Sequence, residues 1–400
     1  MPEINEETDD AMSDVSIYWD PFDPALRDDP YSLWKRMRDE APLYRNERYD
    51  FWVLSRFDDV EAAHKDWATF SSAHMTTIEM MTPEPLTDTG MFIGLDPPTH
   101  TRYRGLVSRA FTPRRIAAIE DRVRAVACDL LDARVGSGGF DYVQDFAAVL
   151  PPTIISSLLG VPDPDREWLR HQVDDMFRLE DDQGLMNPTA VAARDNVQGY
   201  ITNEVKARKA SPRDDLFTVL AEADFPRPEV PGEFGMMLFA AGSETVARLL
   251  GWAASVLAEH PDQRAELVTD PALIPRAVEE LLRYEAPSPV QARWLTAPVE
   301  AHGTTMPVDS KVVLLTGAAD RDERKFAEPD RFDIHRQFDH HVALGFGIHF
   351  CLGAALARME GRIGIEETLA RFPTWEVDRD RAHLLYTSTV RGYDELPLLV

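Results

Sequence analysis

Residues 341–360, HVALGFGIHFCLGAALARME, constrain this chain more than any other stretch. They set one cysteine, Cys351, between a glycine-rich approach (Gly345, Gly347) and an apolar repeat (Leu352, Ala355, Leu356, Met359) whose spacing predicts a helix. A cysteine just before a helix faces the positive end of the helix dipole and its unpaired N–H groups, which favours thiolate over thiol. The glycines permit positive φ and close backbone approach, so the loop can lie flat against a large planar ligand. Gly353 keeps the first helical turn thin on the same side. Read alone, the loop also suits a buried packing cysteine.

A second stretch, from Pro231 to the end of GEFGMMLFAAGSETVARLLGWAASVLAEH, predicts a long helix that is apolar almost all round and therefore buried. Inside it lie Ala241, Gly242, Ser243, Glu244 and Thr245. Glycine there costs roughly 1 kcal/mol relative to alanine, and an inward glutamate requires a partner or water. A threonine hydroxyl can bond the carbonyl four residues back, that of Ala241, and open the ladder into a notch. The plain alternative is a glycine kink where another helix crosses.

Composition removes whole classes of function. A formal net charge of −27 argues against nucleic-acid binding. Two cysteines, Cys128 and Cys351, leave no disulfide framework or thiolate zinc cluster and suit a reducing cytoplasm. The acidic start lacks the features of a signal peptide, and no uncharged run reaches the ~18 residues of a membrane span. We expect residues 1–15 to be disordered, a single domain over 16–400, and a soluble, cytoplasmic monomer. Residues 97–119 hold no acid but include Arg102, Arg104, Arg109, Arg114 and Arg115, a positive island or simply a solvated helix face. His100 and Arg104, four apart, share a helical face, as do Glu280 and Arg283, three apart.

Taken together these segments resemble the cytochrome P-450 family of haem-thiolate monooxygenases. The family's haem loop, Phe-Gly-x-Gly-x-His-x-Cys-x-Gly followed by Leu-Ala-Arg, is matched by Gly345, Gly347, His349, Cys351, Gly353, Leu356, Ala357 and Arg358. Leu344 stands where the family usually has phenylalanine, a departure that bears on redox potential. Ala241 to Thr245 match its Ala-Gly-x-Asp/Glu-Thr oxygen motif, and Pro329-Asp330-Arg331-Phe332 resembles its Pro-Glu-Arg-Phe element.

The resemblance spans roughly residues 20–400 and implies a mainly α fold with a small β-rich lobe (α+β, a triangular prism) around haem b. It implies that Cys351 is the proximal thiolate, that His100, Arg104, Arg293 and His349 hold the haem propionates, and that Glu280, Arg283 and Arg331 form a structural triad, with Arg336 a weaker candidate for the third place. Thr245 would hydrogen-bond dioxygen and Glu244 would relay protons from solvent. Met91, Phe92, Met237, Ala240, Ala241, Val290 and Thr389 would line the substrate pocket, and the irregular stretch 174–195 would cover its entrance.

One oxygen atom would enter a terpenoid, steroid, fatty-acyl or polyketide-type compound by hydroxylation or epoxidation. Electrons would come from NAD(P)H through a separate reductase and a ferredoxin or flavodoxin docked near Arg102, Arg109, Arg114 and Arg115. The rivals are a peroxide-driven haem-thiolate peroxygenase, a non-catalytic haem sensor, and a metal-binding protein using His335, His340, His341 and His349 with Cys351.

Overall fold

The structure is a computed structural model that describes residues 17–178 and 186–400. The acidic segment 1–15 and part of the 174–195 stretch lie outside the described residues. The fold is built around the long apolar helix Val230–Glu259, which has proline in its first turn. From Phe234 to Leu257 every residue is buried except Ala240, Ala241, Gly242 and Thr245. Helices Pro188–Ala210, Leu150–Leu159, Ala354–Arg371 and Ile274–Tyr284 pack around it. Close approach is possible because Gly235 presents no side chain; a Cβ there would lie 2.6 Å from Ile201 Cγ2.

A small β-rich lobe stands to one side. Its sheet runs Leu43–Asn46, Phe51–Leu54, Lys311–Leu314, Gln291–Leu295, Phe70–Ser71. Phe51–Leu54 pairs parallel to Lys311–Leu314, and the other neighbours pair antiparallel. Arg293 sits opposite Val312 in that register. The lobe has its own core, including Trp19, Trp34, Phe51, Val53, Val290 and Val313. A buried charge network joins it to the helical body: Arg391 Nη1 donates to Glu285 at 2.7 Å, and the Tyr31 hydroxyl donates to the same carboxylate. The two last strands do not pair with each other. Arg391–Glu395 pairs with His383–Tyr386, and Pro397–Leu399 with Gly139–Asp141 and Glu376–Val377.

The frame behind the sulfur loop is a buried ion-pair cluster. Arg283 donates to both carboxylate oxygens of Glu280, at 2.7 and 2.8 Å, and both side chains are fully buried. The third member is Arg336, whose Nε lies 3.0 Å from Glu280 Oε1. Arg331 does not take that place. Its side chain is 64% exposed and meets only Glu328, at 3.4 Å, while its carbonyl accepts from Arg336 Nη2. The Pro-Asp-Arg-Phe segment thus supplies backbone to the cluster, and the inward guanidinium comes five residues later.

Helix Ala354–Arg371 carries an anomaly. Glu360 is wholly buried, and neither carboxylate oxygen has a partner among the described residues. Burial pushes its pKa well above the ordinary carboxylate value. The native state therefore holds this proton more tightly than the unfolded chain does. The associated stability is fully present below the unfolded pKa and is lost as pH rises toward the folded one. We expect wild type to lose stability relative to Glu360→Gln by about 1.4 kcal/mol per pH unit above pH ~4.5, until the buried carboxyl ionises. Urea melts of both holoproteins at pH 5, 6 and 7 check this; parallel midpoints across that range would refute it.

Candidate active site

The sulfur loop is held by its own backbone. Cys351 N–H donates to Leu344 O at 2.9 Å, Phe350 N–H to Gly347 O at 3.1 Å, and Gly345 N–H to Val342 O at 2.8 Å. Gly345 and Gly347 have φ of +68° and +69°, the left-handed region that glycine enters without a Cβ penalty. At Gly347 a Cβ would also lie 2.5 Å from His64 O, so the position excludes any larger residue. Cys351 is only partly covered, yet burial raises its thiol pKa. The Gly353 N–H, Arg104 and Arg358 act in the opposite direction but do not overcome burial. The expected priming of the thiolate by the helix start is thus present but outweighed, and a bound metal ion is what would deprotonate the sulfur.

Beside this loop four nitrogen-bearing side chains, two arginines and two histidines, converge. His100 is 2% exposed with both ring nitrogens unpartnered, and its ring centroid lies 4.3 Å from that of His349, whose Nε2 is also unpartnered. Arg104 Nη2 donates to Phe350 O at 2.6 Å, and buried Arg293 donates to its neighbour's carbonyl, Ala292 O, at 2.7 Å. Among the described residues none of the four is in an ion pair with a carboxylate. Burial first, then mutual repulsion, lowers His349 to about 2, and burial with Arg104 lowers His100 to about 4. Burial also lowers Arg293 to about 10. Such a grouping is costly unless a buried anion completes it.

On the long helix the Thr245 hydroxyl donates to Ala241 O at 3.0 Å, the bond read from the sequence. The helix nonetheless stays continuous through the motif. Ala241 is exposed in the middle of a buried helix, and Ala240, Gly242 and Thr245 are partly so. Glu244 is buried in an ion pair with Arg248, whose Nε donates at 2.8 Å and which also donates to Tyr393 O.

The loop bearing Met91 and Phe92 is pinned to the start of this helix, because Glu233 accepts from Gly90 N–H at 2.7 Å and from the Thr89 hydroxyl at 2.9 Å. Phe92 packs on Phe234 with ring centroids 5.2 Å apart. Met91 and Thr389 are partly exposed, whereas Phe92 and Met237 are buried. Val290 is buried within the core cluster of the small lobe.

A profile of the cytochrome P450 family matches residues 40–389. The chain is 38% identical over 374 residues to erythromycin C-12 hydroxylase of Saccharopolyspora erythraea, covering 91% of this chain and 92% of that protein. It is 35% identical over 399 residues to vitamin D(3) 25-hydroxylase of Pseudonocardia autotrophica, covering 95% and 96%. A solved structure of a mutant of P450 EryK in complex with erythromycin B superposes with a TM-score of 0.84 at 34% identity, over 93% of this chain and 96% of that one. The chain belongs to the cytochrome P450 family.

It is a cytochrome P450 monooxygenase, and members of the family use haem b. The residues present fit that group. Haem b carries two carboxylates, and His100, Arg104, Arg293 and His349, buried or half-buried, are four donors lacking an anion among the described residues. Cys351, in the same loop as His349, would hold the haem iron through the thiolate. The metal-binding alternative has no support, since no group of three or more His, Cys, Asp or Glu side chains that could hold a metal ion occurs among the described residues. His335, His340 and His341 meet Glu266, Glu61 and Glu279 instead, at 2.8, 2.6 and 3.3 Å. Among the described residues no helix is long and apolar enough to cross a membrane.

Three features went unread in the sequence. Arg248 lies four residues from Glu244, a spacing that signals the ion pair. Glu279 binds Arg358 at 2.6 and 2.9 Å, fixing an arginine whose charge reaches Cys351. A surface hollow of about 540 Å³ beside the sulfur loop is lined by Arg276, Arg336, Phe338, Phe346, Phe350 and Arg358, among others.

Proposed function

We propose that this P450 hydroxylates or epoxidises a bulky, largely apolar compound of macrolide or steroid-like build. Electrons would come from NAD(P)H through a separate reductase and a ferredoxin or flavodoxin. The observation that carries the substrate reading is the accessibility of Ala241, and in part of Ala240, on an otherwise buried helix. Small side chains there leave width beside the reacting centre, and Met91 on the neighbouring loop can adapt to irregular shapes. The names of relatives acting on erythromycin and vitamin D(3) support the same size class.

Haem b, when bound, supplies reductive activation of dioxygen and transfer of one oxygen atom, the other leaving as water. This chain's residues bind, orient and deliver protons. Thr245 presents a partly exposed hydroxyl at the small-residue face, where it can hold a proton at Oγ. Glu244 is the adjoining acid, and as a relay it must exchange its bond to Arg248 for one toward Thr245. Arg102, Arg109, Arg114 and Arg115 are exposed and without a carboxylate partner among the described residues, which favours an acidic electron donor over a peroxide-driven cycle.

Turnover with NADPH, ferredoxin and ferredoxin reductase, falling with ionic strength, is the test. Product with peroxide and none with the reductase system would overturn the electron-transfer reading. A spin-state shift on titration with macrolides or steroids tests the pocket, and a response to small charged molecules alone would sink it. Thr245→Val preserves shape while removing the hydroxyl. Product formation is expected to fall about 100-fold, the low end for a positioned proton donor, while NADPH consumption and the substrate-induced spin shift persist.

A further inference from the structure

His64 lies in the last turn of helix Phe57–Lys65, in a sequence context with no motif of its own. It is 4% exposed, and neither ring nitrogen has a partner among the described residues. Apart from His100, the other buried imidazoles among the described residues are tied: His74 Nδ1 meets Thr82 O at 2.8 Å, and His341 Nε2 meets Glu279. An unpartnered buried donor is costly, so its persistence requires an explanation.

The position supplies one. The haem loop is pressed onto this turn, with the Gly347 backbone against His64 O and the place of a Gly345 Cβ 4.0 Å from the His64 ring carbon Cε1. Burial, then the charge of Arg293, lowers His64 to about 3, and His64 in turn acts on His349. The ring is therefore neutral at pH 7, offers one N–H, and shares the field of the four donors already described. Two ionised carboxylates offer about eight lone-pair sites between them, which leaves room for a fifth donor.

We propose that His64 is a positioning residue of the haem cradle, donating from its imidazole to a haem carboxylate alongside His100, Arg104, Arg293 and His349. The inference rests on the haem-binding reading of this fold.

The test compares wild type with His64→Phe, which keeps a ring without nitrogen, and His64→Gln, which restores an N–H donor. Each is loaded with haem b and, separately, with haem b dimethyl ester, whose carboxylates are blocked. Release to excess apomyoglobin is then timed. We expect His64→Phe to release haem b roughly tenfold faster than wild type, the scale of a hydrogen bond to a charged group. His64→Gln should recover most of the loss, and the three proteins should release the dimethyl ester at one rate.

Equal release of haem b by wild type and His64→Phe would overturn the proposal. So would an undiminished difference with the dimethyl ester, which would make His64 a packing residue. If His64→Phe does not accumulate, His64→Leu is read in the same assay. Failure of wild type to take up haem with a thiolate spectrum would instead strike the underlying reading.

Discussion

Cys351→Ala protein should keep its fold and lose its chemistry. The loop around position 351 is held by main-chain bonds, Cys351 N–H to Leu344 O and Phe350 N–H to Gly347 O, neither of which needs the sulfur. The donors His100, Arg104, Arg293 and His349 also remain, so the variant should still take up haem, more weakly. It should lack the carbon-monoxide Soret band diagnostic of a thiolate, and monooxygenase turnover should fall by more than about 100-fold, beyond the loss typical of outer-shell changes at metal sites. Reduced-protein spectra under carbon monoxide, with a far-ultraviolet dichroism spectrum to confirm the fold, decide the matter. A variant that retained both the thiolate band and full turnover would remove Cys351 from the site.

The haem loop was legible because its residues answer requirements that are local. Positive φ at Gly345 and Gly347 and a cysteine ahead of a helix are statements about neighbours in sequence, as is the bond from Thr245 to Ala241. What escaped depends on distant chain. The helix start acts on Cys351 as expected, but burial in the folded chain outweighs it. Val290 adjoins a strand that the sequence suggests, but the cluster in which it is buried includes Trp19 and Trp34, more than 250 positions away. His64 acquires meaning only from the loop that closes over it, some 280 residues later. Glu244 is the opposite case, since Arg248 one turn on was visible and its i,i+4 spacing was not used.

The choice between Arg331 and Arg336 shows the same limit and yields the sharpest stability contrast. Glu280 is fully buried and accepts from Arg283, from Arg336 and from Asp333 N–H at 3.1 Å. Arg283 additionally donates to Asp320 O and Pro329 O, at 2.8 and 2.9 Å, so its guanidinium cannot swing to water without breaking the frame. Glu280→Ala therefore leaves a fully buried guanidinium without its counter-charge, a change expected to cost about 3–5 kcal/mol, against a total stability on the order of 5–15 kcal/mol. Arg331→Ala removes an exposed side chain whose one ion pair is at the surface and should change stability by less than about 0.5 kcal/mol. Arg336→Ala falls between them, because it loses the pair to Glu280 and bonds to the carbonyls of Ala327, Glu328 and Arg331 while leaving Arg283 paired. Urea unfolding of the three variants, with haem content measured alongside, should give the order Glu280→Ala, Arg336→Ala, Arg331→Ala from least to most stable. An Arg331→Ala protein as unstable as Glu280→Ala would return Arg331 to the buried cluster and contradict the geometry described above.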